Sequence, residues 1–177
     1  MVFEDFYLPA ATVEKSTNSQ YQGWVERGFI HTTDGAITDF NVIEEALRDD
    51  LSRFDVGAIA YDPWQAMQLA MRLSDDGAPM VEFRNTVQNI SSPMKSLEAL
   101  VQDRRIRRRH NPATDWMIGN VVAKVDAKDN IFLRKERYEN KIDGPVAMIF
   151  ALAMCMSDLE TDDDDDFSEF VDDIIVV

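Results

Sequence analysis

Two aspartates stand where carboxylates can do chemistry. Asp62 follows the apolar run that ends at Tyr61, and Asp143 precedes the apolar run Val146 to Met156. In open α/β sheets, groups at the carboxyl ends of strands face a common crevice. Two carboxylates meeting there would offer hard oxygen ligands to Mg²⁺ or Mn²⁺, ions that activate water and steady a leaving phosphate oxygen. The same residues have a second reading. Asp62-Pro63 and Asp143-Gly144-Pro145 both have the form of a helix cap, with an aspartate accepting an orphan N–H and a proline in the first turn. Other chemistries are poorly supplied. His31, His110 and the single Cys155 make no zinc cluster, no nucleophile triad can be assembled from local sequence, and no glycine-rich phosphate loop is present.

A third group of residues is basic. Arg104, Arg105, Arg107, Arg108 and Arg109 crowd into six positions before His110. Such a patch suits a polyanion, and it equally suits a solvated helix end favoured by the helix dipole. Its sign opposes that of the whole chain, which carries 33 acidic against 18 basic residues for a net −15. That total is uneven: residues 158–177 hold ten acidic and no basic residues, and without them the balance is 23 against 18. Most of the imbalance is therefore a tail.

The elements that must position these residues follow from spacing. Val2 to Leu8 reads as a strand stopped by Pro9, and the polar stretch Thr12 to Gln22 leads to a short helix at Trp24-Val25 and a short strand at Phe29 to His31. Asp39 or Asn41 caps a helix ending near Arg53. Asp55 to Tyr61 reads as a central strand covered on both faces, followed by a helix over Trp64 to Leu73 and a strand from Met80 to Arg84. That β-α-β order implies a parallel pair. Ser91 or Ser92 is expected to cap a helix that ends in the arginines. Trp116-Met117 reads as a further short helix, Val121 to Val125 and Ile131 to Lys135 as a hairpin, and Pro145 to about Met156 as the last long helix. Trp24, Trp64 and Trp116 are expected as core anchors.

The 177 residues suit one domain, 1–157, with an acidic tail, 158–177. An apolar fraction of 45% with ten Phe can fill a core, which excludes wholesale disorder. One cysteine and no signal-like opening segment point to a reducing cytoplasm. The longest apolar run is too short for a bilayer, so no membrane is expected. In the tail, Asp162 to Asp166 should repel one another and be disordered. Phe167, Phe170, Val171, Ile174 and Ile175 recur at helical spacing. A docking helix, a DNA mimic folding onto the arginines, and a merely solvating tail are all consistent with that pattern.

Four short motifs in order carry a family resemblance. Tyr61-Asp62-Pro63-Trp64 with Ala66 comes first, then Ser92-Pro93 with Leu97-Glu98 and Leu100. Asn111-Pro112 follows with Trp116-Met117 and Asn120-Val121, and last comes Lys141-Ile142-Asp143-Gly144 with Val146-Ala147 and Ala151-Leu152. Together they resemble the nuclease domain of the large terminase subunit of tailed bacteriophages, over about residues 2 to 154. The resemblance implies an α/β fold of the ribonuclease H-like kind, a mixed central sheet flanked by helices, truncated at its N-terminus. It implies a two-metal-ion endonuclease that cuts concatemeric viral DNA during packaging, with two Mg²⁺ or Mn²⁺ ions. Carried over by motif, Asp62 and Asp143 are the catalytic and metal-binding acids, and Lys141 contacts phosphate with Asn120 as a neighbour. The implied partners are double-stranded viral DNA, the portal protein and the small terminase subunit, in the cytoplasm of an infected bacterial host.

The chain also departs from that pattern. The family's first essential aspartate lies on an opening strand upstream of the segment that Val2 to Leu8 resembles, and the ATPase with its phosphate loop is missing. The site is then expected to be one acidic ligand short, and an upstream ATPase or nuclease fragment becomes a possible partner. An exposed apolar edge is expected on Val2–Leu8 or on the central strand, with self-association as its consequence. A rival reading is a catalytically silent module that docks portal, small subunit or a separate ATPase fragment.

Overall fold

The computed structural model describes residues 1–161 and 174–176. The aromatic-rich opening is not one strand but two, Val2–Glu4 (β1) and Tyr7–Pro9 (β2), because the two halves pair with different partners. Strand β2 runs parallel to His31–Thr33 (β3), with Tyr7 opposite His31. The intervening polar stretch is not all connection: Ala10–Lys15 (α1) is helical, and Gln20–Glu26 (α2) buries Tyr21 and Trp24.

Asp39 accepts the Asn41 N–H at 2.9 Å and so caps Phe40–Arg53 (α3). Ile59–Tyr61 (β4), Pro63–Asp75 (α4) and Met80–Glu82 (β5) form the expected parallel β-α-β unit, with Ile59 opposite Met80. Leu47, Leu69 and Leu73 pack beneath α3 and α4. Above them the Glu44 carboxylate takes Arg48 at 2.8 Å and Arg72 at 2.6 Å, tying the two helices together.

The next helix, Val87–Gln102 (α5), starts earlier than its serines suggest. Thr86 is extended and its hydroxyl accepts the Asn89 N–H, which leaves Ser91, Ser92 and Pro93 inside the helix. Pro93 removes one helical donor. Ser91 is instead used across the fold, its Oγ accepting the Ile131 N–H at 3.0 Å. At the far end, Arg104 N–H donates to the Val101 carbonyl and Arg105 N–H to that of Leu100. This is a Schellman cap with Arg104 at φ 57 in the left-handed position that glycine usually takes.

Asn111 caps Pro112–Gly119 (α6), and Val121–Val125 (β6) and Ile131–Lys135 (β7) form the predicted antiparallel hairpin. The last long helix is Asp143–Thr161 (α7). It leads towards Ile174–Val176 (β8), which pairs parallel with β1, Val2 opposite Ile174. Met148, Ile149, Phe150 and Leu152 are all buried, so α7 has no solvent stripe along its middle and is a core helix. Met148 and Leu152 meet Val2 and Leu100, while Ile149 and Phe150 meet Ile90 and Leu133.

The fold is therefore α/β with mixed strands, three parallel pairs and one antiparallel, arranged as β1–β8, β2–β3, β4–β5 and β6–β7. Several expectations change. β1 is paired with β8 along one side and bridged at Val2 on the other, where Val2 N–H donates to the Arg107 carbonyl at 2.7 Å. β4 has a strand partner on one side only among the described residues. Ile174 and Ile175 are in a strand rather than on a helix face, as β-branched residues favour, while Asp162–Asp166, Phe167, Phe170 and Val171 lie outside the described residues. Trp64 is no core anchor: it is 86% exposed, because the first turn of α4 projects it away from Leu69 and Leu73. Trp24 and Trp116 do pack in the core beside Tyr21.

If β8 is what closes β1, a chain ending at Asp173 should self-associate more than the full chain through the uncovered edge. Light scattering over a concentration series measures this. Equal masses for the two chains at every concentration would deny β8 that role.

Candidate active site

Asp62 and Asp143 both stand at the start of a helix and at the border of one apolar cluster. Asp62 directly follows β4, is exposed, and its Oδ1 accepts the Trp64 N–H at 2.9 Å. The capping reading of Asp62 thus holds, and the bond fixes one carboxylate oxygen while leaving Oδ2 outside it. Asp143 opens α7 and is also exposed. Helix α7 packs against β4. Ala60, two residues before Asp62, shares a cluster with Ile142 and Val146, which flank Asp143.

The approach to Asp143 is tightly built. A Cβ on Gly144 would come within 3.1 Å of the Phe6 ring and 3.2 Å of the Met117 methyl, so the chain turns into α7 where only a bare backbone fits easily. Asn120, at the end of α6, donates its Nδ2 to the Lys141 carbonyl at 3.0 Å. That bond holds the segment carrying Lys141 and Asp143 against α6, a role the sequence does not announce. Burial pushes the Tyr21 phenol above its ordinary value of 10.0, and the charge of Asp143 adds to the shift, which places that carboxylate within electrostatic reach of α2. An open cleft of about 480 Å³ lies here, with Lys15, Asn18, Tyr21, Trp116, Glu139 and Lys141 in its wall.

The arginines are elsewhere. Ile106 packs into the cluster that holds Leu152 and Met156, and Leu152 is about 14 Å along the helix axis from Asp143. Arg108 is half-buried and already engaged: its guanidinium pairs with Asp115 and lies 3.9 Å from Glu4. His110 Nδ1 lies 3.1 Å from the other Asp115 oxygen. Arg104, Arg107 and Arg109 are exposed. Glu4 was not among the sequence candidates, yet its side chain is only 4% exposed. Its Oε2 accepts the Thr114 hydroxyl at 2.7 Å, and its Oε1 is buried with no hydrogen-bond partner. Burial raises the Glu4 carboxyl, with Thr114 and Arg108 opposing that shift.

The chain as a whole has known relatives. The model of the family described as "Terminase large subunit, endonuclease domain" matches residues 8–158. The chain belongs to that family. This terminase nuclease domain is 36% identical over 160 residues to "Protein YmfN" of Escherichia coli (strain K12), covering 85% of the chain and 35% of the relative. It is 29% identical over 175 residues to "Terminase, large subunit" of Enterobacteria phage HK97, covering 96% of the chain and 34% of the relative. The crystal structure of the HK97 bacteriophage large terminase superposes with a TM-score of 0.74 at 28% identity, over 84% of this chain and 33% of that one. The domain spans about a third of the length of the curated relatives it matches.

For a divalent ion the donor type fits and the donor number is small. Among the described residues no three of His, Cys, Asp and Glu are gathered closely enough to hold an ion. Mg²⁺ is commonly bound through one or two carboxylates, with water and substrate phosphates completing its shell, and Asp62 and Asp143 are both exposed carboxylates at helix starts. No helix among the described residues is long and apolar enough to cross a membrane.

The buried carboxyl of Glu4 gives a pH signature. Its folded pKa is raised, so the neutral form is the one the fold prefers. That contribution is present below the ordinary value of 4.5 and is lost as pH climbs through the raised one. Glu4→Gln, a neutral side chain that still offers Thr114 an acceptor, should raise Tm at pH 8 and converge with the parent towards pH 4. Thermal melts across that range test it. A variant destabilised at pH 8 and not at pH 4 would mean that Glu4 is needed ionised.

Proposed function

We propose that this domain is the DNA-cutting part of a large terminase subunit, a metal-dependent endonuclease acting on concatemeric viral DNA during genome packaging. The observation that supports it most is the placing of Asp62 and Asp143 at the border of one apolar cluster, one at the end of β4 and the other at the head of α7. Mg²⁺ or Mn²⁺ bound there would supply the Lewis acid that activates water and steadies the leaving oxygen. Asp62 offers the carboxylate oxygen its cap leaves over, oriented by the Trp64 N–H. Asp143 offers its carboxylate from a helix whose buried body cannot shift. Lys141, held by Asn120 through its own carbonyl, presents an ammonium for the scissile phosphate. Arg104, Arg105, Arg107 and Arg109 extend the basic track along the duplex, with Arg108 in a bracing role through Asp115.

Portal protein, the small terminase subunit and an ATPase-bearing segment are the protein partners this reading implies. The small number of acids keeps a second reading open, that the domain binds these partners and DNA without cutting.

Both readings face one experiment. With Mn²⁺ and linear DNA, the parent should cut. Asp62→Asn and Asp143→Asn should each lower the rate by roughly a hundredfold or more. Mn²⁺ should also raise the parent's Tm by mass action and leave the double variant's unmoved. A parent that binds DNA but does not cut, with no Mn²⁺ effect on Tm, rejects the nuclease and leaves the interaction module.

A further inference from the structure

We infer that the cleft between α1, α2 and the Asn140–Lys141 segment is a binding site for one nucleotide unit of a DNA strand, its phosphate on Lys15, Lys141 and the Asn18 amide and its sugar and base against Trp116. The inference rests on the nuclease reading for its substrate and goes beyond it in assigning residues that no motif singled out.

Four observations support it. The cleft's volume of about 480 Å³ falls in the range of small-ligand clefts, about 300–1,000 Å³. Its wall carries two lysines against one acid, Glu139, in a chain whose net charge is −15, so it is a local reversal of field. Asn18 spends its Oδ1 on the Gln20 N–H at 3.0 Å, while its Nδ2 is buried and completes no hydrogen bond. Asn18 lines the cleft, so a donor without a hydrogen-bond partner is left over in a wall that also carries Lys15 and Lys141. A buried donor without a partner carries a desolvation cost that an anionic oxygen would relieve.

The fourth observation is aromatic. Trp116 is half-buried and wedged against Tyr21 edge-on at 5.9 Å and against Trp24 at 5.7 Å. A ring held in this way is a fixed surface on which any base can rest, independent of sequence. Because Lys141 belongs to both places, the cleft lies beside Asp143, and a strand seated in it would run directly to that carboxylate.

The test separates this site from catalysis by working in EDTA. Binding of a short fluorescein-labelled oligothymidylate to the full chain is followed by anisotropy over a salt series. Lys15→Gln and Lys141→Gln together should weaken binding roughly tenfold, and the log–log salt slope should fall by roughly 0.7 for each lysine removed. Asn18→Asp keeps an acceptor for the Gln20 N–H and removes the donor, and it should weaken binding further. Lys128→Gln, the same charge removed from the hairpin turn, should change affinity much less. Tryptophan emission should be quenched by the oligonucleotide in Trp64→Phe and no longer in Trp116→Phe.

Equal losses in Lys128→Gln and Lys15→Gln would overturn the site, since net charge alone would then explain them. Unchanged affinity in Asn18→Asp would overturn the role of the amide. Mn²⁺-dependent cutting that persists while the cleft variants bind normally would remove the cleft and keep the nuclease. Lysine-dependent binding in a parent that never cuts would keep the cleft and remove the nuclease.

Discussion

Met148, Ile149, Phe150 and Leu152 follow one another around α7, and all are buried, so this helix must be covered on every side. Burying four such side chains contributes on the order of 6–12 kcal/mol, comparable to the whole net stability of a small domain, about 5–15 kcal/mol. Among the described residues no other element buries as many apolar side chains. α5 reaches both of its sides, joined by β1 on one and by β4 and β7 on the other. Asp143 inherits its position from this burial, because the first residue of a helix that cannot slide or turn is itself fixed.

Asp62 shows that a helix cap and a positioned, outward-facing carboxylate are compatible demands. A cap requires a short carboxylate at the first turn, with one oxygen facing the backbone. A metal ligand requires a carboxylate that does not wander, with an oxygen facing out. Asp62 meets the first condition through Trp64 and thereby prepares the second. The exposure of Trp64 fits the same geometry. Its backbone serves the cap, and its indole is left in solvent.

Much of this was legible in the sequence where a local rule decides. Alternation and turn residues located the hairpin from Val121 to Lys135, the apolar run located α7, and the β-α-β order gave the β4–β5 pair its parallel sense. Where two local rules compete, tertiary contact decides. Ser91 looks like a cap, but Thr86 lies at the true start and Ser91 is drawn to Ile131. Val2–Leu8 looks like one strand and is two, because its pairing partners lie 24 and 172 residues away at Tyr7–His31 and Val2–Ile174. The arginines look like one patch, yet Arg108 turns inward to an acid seven residues on. Glu4, Asn18 and Lys15 carry no spacing signal at all. Their significance comes from neighbours such as Thr114 and Trp116, which only folding brings to them.

One consequence lies in the length of α7. Nineteen helical residues make a rod of about 28 Å, with Asp143 at its head and, beyond its tail, the strand that lies on β1. The middle of that rod is buried, so Asp143 stands at the head of a stiff strut, and any substitution that loosened Met148, Ile149, Phe150 or Leu152 would be felt at the carboxylate.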